Sequence, residues 1–379
     1  MKRTPLYAAH QRLGGKLIEF GGWEMPVQYA GIVEEHLAVR QAAGLFDISH
    51  MGEILVRGPG AEAFLNWALT NDLRKLAAGQ GQYTLMCNER GGVMDDLYAY
   101  HLATWEYLLI VNASRIEADA AWLEKQLAAF PRRGEVTLEN TSETTGALAV
   151  QGPRVAEFME HCFPGPSSGG TSVARVTALQ KNQVAGFSHA GARIWISRTG
   201  YTGEDGFEVV APGTIIEEIW NQLLAAGYKH GLKPAGLGAR DTLRTEMCYP
   251  LYGHELNENT TPMEAGLGFF VALDKEDFIG RPVLFEQKAN GTARKLVAFK
   301  MTTKSAPPRP HYAIWSAGPD AAKIGEVVSG TQSPSLGIGI GLGYVPPQFA
   351  QAGTPIGIEI RGKRAPAVVV PKPLYRKAP

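Results

Sequence analysis

In the stretch NERGGVMDDLYAY, Asn88 to Tyr100, two adjacent carboxylates interrupt a run that otherwise reads as a strand. Successive strand side chains point to opposite faces. Val93, Asp95, Leu97 and Ala99 therefore share one face, and Met94, Asp96, Tyr98 and Tyr100 the other. Both faces are otherwise mostly apolar, so at least one carboxylate belongs in or beside a core. A desolvated carboxylate is costly unless it is paired, hydrogen-bonded or protonated. In an ordinary scaffold such a pair caps turns or meets an arginine. Tyr83, Tyr98 and Tyr100 nearby also supply an aromatic setting that suits a flat ligand.

Three further stretches combine polar residues with tight turns. In SRTGYTGEDGFEVV, Gly200, Gly203 and Gly206 let the backbone bend sharply and approach a ligand closely. Glu208 then lies within an apolar run, as an exposed strand position or as an acceptor for the two parallel N–H groups of a guanidine-like heterocycle edge. In GLGARDTLRTEMCYPLYGHEL, Arg240 and Arg244 stand one helical turn apart. They either clamp a carboxylate or phosphate, or pair with Asp241 and neighbouring acids. In GLFDISHMG, His50 follows an Asp and a Ser, yet residues adjacent in sequence rarely form a catalytic triad. A histidine satisfied by backbone partners at a turn is the expectation there.

The elements that must position these residues are mixed. Helical spacing marks GIVEEHLAVRQAAG, expected to stop at Gly44, and GAEAFLNWALTND. Two strands joined at Asn88–Gly92 are followed by the buried strand EYLLIVNAS, with Ser114 capping the helix RIEADAAWLEKQLAAF. ALAVQGP is a strand leading to the helix RVAEFMEHC. ARIWISRTGYTGEDGFEVVAP reads as strand, turn, strand, and TIIEEIWNQLLAAG and ARDTLRTEMC as helices. After about Gly280 short alternating segments follow with almost no helix, as in a small all-β barrel or sandwich. The expected class is α+β, divided into a region 1–280 of two interleaved domains and an all-β domain 281–379. GIGIGLGY misses the G-x-G-x-x-G spacing and no helix follows it. No P-loop, G-x-S-x-G or H-E-x-x-H motif is present, so nothing supports ATP-driven, bound-flavin or zinc chemistry, and no metal site is expected.

The bulk properties exclude further classes. Lys plus Arg and Asp plus Glu are 37 each in 379 residues, a formal net charge of zero. Neither a nucleic acid nor an anionic membrane surface is the expected partner. Cys87, Cys162 and Cys248 are scattered without a C-x-x-C pair, as for free thiols in a reducing compartment. No apolar run reaches the ~20 residues of a membrane helix, and MKRTPLYAAH lacks the apolar core of a secretory signal. A soluble, cytoplasmic protein is expected.

In order along the chain, TPLYAAHQRLGGKLIEFGGWEMPVQY, LFDISHMGE, NERGGVMDDL, LAVQGP, RTGYTGEDGFE, GLGARDTLRTEMCYPLYGHEL, TPMEAGLGFFVALDK and SGTQSPSLGIGIGLGYVP resemble the aminomethyltransferase, or T-protein, family of the glycine cleavage system. The resemblance runs over essentially the whole chain. It implies three domains around a central folate channel, the last a β-barrel. It further implies transfer of the methylene carbon of a lipoyl-bound aminomethyl group from the H-protein to tetrahydrofolate, with release of ammonia.

Asp96 matches the second Asp of the family's G-G-x-x-D-D motif, placed against the folate's reacting nitrogens. Asp95, on the opposite face, is then structural. Glu208 matches the acid on the pterin's amino-pyrimidine edge, Arg240 a ligand-contacting arginine, and Tyr83 and Asn112 positions lining the pterin pocket. Tyr375 is a counterpart for a late aromatic near the ligand. Many members carry a β-branched residue where Tyr98 stands, so its bulk narrows the pocket or repacks a wall. Rival readings are a related folate-dependent demethylase and a folate-binding regulator without turnover. The iron–sulfur-assembly relatives carry K-G-C-Y-x-G-Q-E, where this chain has DFIGRPVL.

Overall fold

The acid stretch forms the strand Val93–Ala103, second in a five-stranded sheet whose order is Gln80–Cys87, Val93–Ala103, Glu106–Val111, Gly52–Arg57 and Thr137–Asn140. The structure, a computed structural model, describes residues 1–377. It divides into two compact units, one of Met1–Met86 with Asp95–Arg240, the other of Cys87–Met94 with the chain from Asp241 onward.

The first unit also holds a six-stranded sheet, ordered Val184–His189, Ala192–Ser197, Gly206–Pro212, Thr145–Gln151, Ala43–Asp47 and Leu232–Pro234. Only the last pairing is parallel among those of this sheet. Ile216, Ile219, Trp220 and Leu223 recur at helical spacing on Ile216–Gly227 and bury one stripe against Leu148, Val150, Phe187 and Phe207 of the sheet. The outer strand Val184–His189 does not end in open backbone. Thr171 and Ser168 donate to the carbonyls of Val184 and Gly186, and the amides of Val184 and Gly186 donate to Gly79 and Gly169. Gly79 has φ +85°, and a Cβ there would lie 2.1 Å from the Thr171 nitrogen.

In the second unit six strands close into a barrel, in the order Lys295–Met301, Gly339–Val345, Lys323–Gln332, Ala313–Ser316, Pro355–Ile360 and Lys363–Val370. Val297, Phe299, Ile314, Val327, Ile358 and Val369 fill it. Mixed helices and sheets with a C-terminal closed barrel agree with the expected class.

Three local readings need correction. The helix expected to stop at Gly44 spans Ile32–Gln41, and Gly44 lies inside the strand Ala43–Asp47. A Cβ there would sit 2.4 Å from Val39 Cγ2, so the glycine serves close packing rather than a helix end. Ser114 caps nothing, because the helix Ile116–Ala129 has Arg115 at its N-cap and no side-chain cap bond. The region after Gly280 contains a helix, Arg281–Asn290, opened by proline in its first turn and closed by Gly291 at φ +84°.

Candidate active site

Asp96 is buried, and its carboxyl is held at both oxygens. The Tyr83 hydroxyl donates to Oδ2 at 2.8 Å and Asn112 Nδ2 to Oδ1 at 3.1 Å. The same Asn112 amide lies 2.9 Å from the Asp96 carbonyl oxygen. Burial raises the Asp96 pKa to about 7, the adjacent Asp95 charge adds to the rise, and the Tyr83 and Asn112 bonds oppose it. A carboxyl balanced near neutrality takes up or gives back a proton at physiological pH. Asp95 points the other way and accepts from the Asn112 backbone and side chain, each at 2.9 Å.

On the Asp96 face, Tyr98 and Tyr100 pack with ring centroids 4.9 Å apart and their planes tilted by 35°. They cross Gly81 of the neighbouring strand, where a Cβ would lie 2.4 Å from the Tyr100 ring and 2.8 Å from Tyr98. Tyr98 thus packs as part of a wall. The Tyr100 hydroxyl lies 3.0 Å from Ser197 Oγ and 2.9 Å from Thr199 Oγ1. Thr199 donates to Glu208 Oε2 at 2.6 Å. A continuous polar chain therefore runs from the acid strand to Glu208 on the six-stranded sheet. Burial, followed by the charge of Glu208, raises the Tyr98 pKa, which places that carboxylate close to the ring pair.

Arg240 stacks its guanidinium 4.7 Å above the Tyr201 ring. Its Nη1 is shielded from solvent and has no hydrogen-bond partner among the described residues. Burial lowers its pKa, with Tyr201 and Glu208 opposing. Tyr201 also adds to the raised pKa of Tyr83 after burial and Asp96. It therefore stands between the Asp96 cluster and Arg240. Tyr100, expected only as part of an aromatic wall, also bonds through its hydroxyl. Tyr201 and Thr199 are the components that the sequence left without a role. Their one visible signal was position, inside or facing the Gly-rich turn.

Of the six expected site residues, Asp96, Tyr83 and Asn112 are bonded together, and Glu208 and Arg240 lie in the same unit within electrostatic reach of one another. Tyr375 belongs to the other unit, half-buried, with its backbone N–H donating to Glu246 at 2.9 Å. The two arginines one turn apart have different fates. Arg244 is consumed by Asp241, Glu255 and Ser329 at 2.7, 2.9 and 2.8 Å within the second unit, so the double clamp does not exist.

The His50 expectation also fails. Its Nδ1 has no partner among the described residues, and burial lowers its pKa to about 4 with only partial opposition from Asp47. Asp47 itself is taken by His10 Nε2 at 2.9 Å, Thr4 Oγ1 at 2.7 Å and the Ser49 amide at 2.8 Å. Cys87, Cys162 and Cys248 are unpaired. Among the described residues no group of three His, Cys, Asp or Glu side chains is placed to hold a metal ion. No helix there is long and apolar enough to cross a membrane.

A mixed α and β region followed by a closed barrel defines a two-part architecture that known proteins share. Residues 6–275 match the family model described as the GCVT N-terminal domain, and residues 294–376 the glycine cleavage T-protein C-terminal barrel domain. The chain belongs to the glycine cleavage T-protein family. It is 45% identical over 382 residues to an aminomethyltransferase of Desulfitobacterium hafniense, covering 100% of this chain and 99% of that one. It is 46% identical over 385 residues to an aminomethyltransferase of Geobacillus kaustophilus, covering all of both. The crystal structure of the glycine cleavage system aminomethyltransferase T from Bartonella henselae superposes with a TM-score of 0.88 at 35% identity, covering 99% of this chain and 98% of that one.

Proposed function

We propose that this chain is the aminomethyltransferase of glycine cleavage, passing the methylene carbon of the aminomethyl group on the lipoyl arm of H-protein to tetrahydrofolate. Ammonia leaves, and 5,10-methylenetetrahydrofolate is the product. The observation that carries the reading is Asp96, a buried carboxyl raised to about 7 and aimed by Tyr83 and Asn112. The residues present suit a folate. Arg240 Nη1 is an orphaned donor, and Glu208 is an acceptor tethered by Thr199 beside an aromatic pair.

When bound, tetrahydrofolate supplies the nitrogens that receive the carbon. Asp96 handles the proton those nitrogens release and offsets the positive charge that develops as ammonia departs, a role typically worth ~10²–10⁴ in rate. Tyr83 and Asn112 fix the direction of its oxygens. Glu208 takes the amino-pyrimidine edge, and Arg240 a carboxylate of the folate tail. Tyr375 is a further aromatic contact. In this reading residues 1–280 form the folate-binding region of two interleaved domains and residues 281–379 a barrel domain, and the enzyme works in the cytoplasm with H-protein as its partner.

The test is ammonia release from aminomethyl-loaded H-protein, with and without tetrahydrofolate, by wild type and Asp96→Asn. Tetrahydrofolate-dependent release that collapses by ~10²–10⁴ in the variant is the expected result. No release by wild type while calorimetry shows tetrahydrofolate bound would overturn the proposal, and methyl donors would then be tried.

A further inference from the structure

Behind the acid strand lies a carboxyl that the mechanism leaves unused. Asp119 is fully buried, and neither of its oxygens meets a hydrogen-bond donor among the described residues. It sits on the helix Ile116–Ala129, one turn beyond Ile116 and on the same side. Ile116 packs on the five-stranded sheet at Gly52, where a Cβ would lie 2.6 Å from Ile116 and 2.7 Å from Val111. Gly52 is paired with Val111 and Ala99 with Leu109, so strand alternation gives this face to Asp95. The Asp119 and Asp95 carboxyls share this face of the sheet, close enough for each to act on the other's titration.

Two buried carboxylates in contact do not both ionise without a large penalty, so one proton lies between them. Their surroundings decide which group carries it. Asp95 accepts two N–H bonds from Asn112, at 2.9 Å each, and these stabilise its anion. Asp119 has only the Arg115 Nε, 3.8 Å away and outside hydrogen-bond range. The charged groups facing Asp119 are Asp95 and Asp96 from the strand and Arg115 from its own helix. Burial first, and the Asp95 charge second, raise its pKa to about 11.

We propose that Asp119 is a positioning residue for the acid strand: held as a carboxylic acid, it donates its proton to Asp95 and so keeps Asn112 locked onto Asp96. The proposal rests on reading Asp96 as the working acid. Asn112 is the link, since its Nδ2 reaches Asp95 Oδ1 at 2.9 Å and Asp96 Oδ1 at 3.1 Å. With the proton on Asp119, Asp95 stays anionic, and its charge contributes to the elevated pKa of Asp96.

The test uses the full-length enzyme with aminomethyl-loaded H-protein and tetrahydrofolate. Asp119→Asn retains a donor toward Asp95 and keeps kcat and the acid limb of its pH profile close to wild type. Asp119→Ala removes the donor, so Asp95 takes a proton itself and no longer raises Asp96. Its acid limb moves to lower pH and kcat falls roughly tenfold, a part of the whole acid's contribution, with KM for tetrahydrofolate little changed.

Infrared spectra of protein carrying isotopically labelled aspartate give a readout apart from activity and from the folding of the alanine variant. At alkaline pH, where Asp96 is ionised, a carboxylic-acid carbonyl band is expected in wild type and Asp96→Asn and is lost in Asp119→Asn. Survival of that band in Asp119→Asn, or alanine and asparagine variants sharing one unmoved pH limb, overturns the proposal. Failure of the Asp96 reading would look different, as an active Asp96→Asn enzyme with the band still assigned to Asp119.

Discussion

Asp96 is subject to opposed influences whose balance has a measurable sign. Its pKa lies at about 7 against an ordinary 3.8. A carboxyl raised in this way favours folding below its ordinary value, and that contribution is lost as pH rises through about 7. The ionised site therefore burdens the native state by an amount on the order of a few kcal/mol at alkaline pH. Asp96→Asn, neutral throughout, should melt well above wild type at about pH 8, with the gap closing toward about pH 4. An identical difference in Tm at both pH values would contradict the raised pKa. Strand alternation put Asp96 and Asp95 on opposite faces, because the period of two survives folding, but it was the resemblance to the family's G-G-x-x-D-D motif that chose Asp96. Tyr201 and Thr199 were not legible, since their partners Arg240 and Glu208 come from other segments of the chain. His50 misled because its ring is buried where Nδ1 meets no backbone partner among the described residues.

Elements hold this site through buried polar contacts as well as apolar packing. The helix Ile32–Gln41 reaches the Gly-rich turn through Arg40, whose Nη1 donates to the Thr202 carbonyl at 2.7 Å and to Glu204 at 3.0 Å. Both charged side chains are nearly inaccessible, at 4% and 5% exposure, so removing one takes a buried counter-charge from the other. Arg40→Ala should cost ~3–5 kcal/mol in denaturant titration, and pairing it with Glu204→Leu should recover a large part of that loss. A double variant as unstable as the single one would mean that the ion pair is not the source. The periodic helices and alternating strands of this unit were readable because each needs only its own sequence to show a buried stripe. Gly44 and Ser114 were not, because their roles depend on Val39 packing against the strand and on where the next helix begins.

Across the whole molecule the two units rest on different cores, and the second depends on a charged one. Arg244 is 2% exposed at its side chain and ties the helix Leu237–Met247 to Glu255 and to Ser329 of the barrel strand Lys323–Gln332. Arg244→Ala leaves the fully buried Glu255 unpaired and should cost ~3–5 kcal/mol. Hydrogen exchange is expected to place the loss in residues 241–377 and to spare 95–240. Uniform loss across both units would refute that assignment. The barrel was legible from its short alternating segments and turns. The helix Arg281–Asn290 escaped notice even though Pro282 and Gly291 bracket it, because its apolar stripe is thin, with Leu284 its one buried residue.

The strap formed by Ser168–Thr171 along Val184–His189 has a bearing on how the protein behaves at high concentration. A barrel has no sheet margin to offer another molecule, but a six-stranded open sheet does. By satisfying the Val184 carbonyl and the Gly186 amide and carbonyl, while Gly79 accepts from the Val184 amide, the strap turns a sticky margin into a finished one. Changes at Gly79 or Thr171 that unseat the strap are therefore expected to favour edge-to-edge association between copies, read as concentration-dependent light scattering, while leaving the chemistry in place.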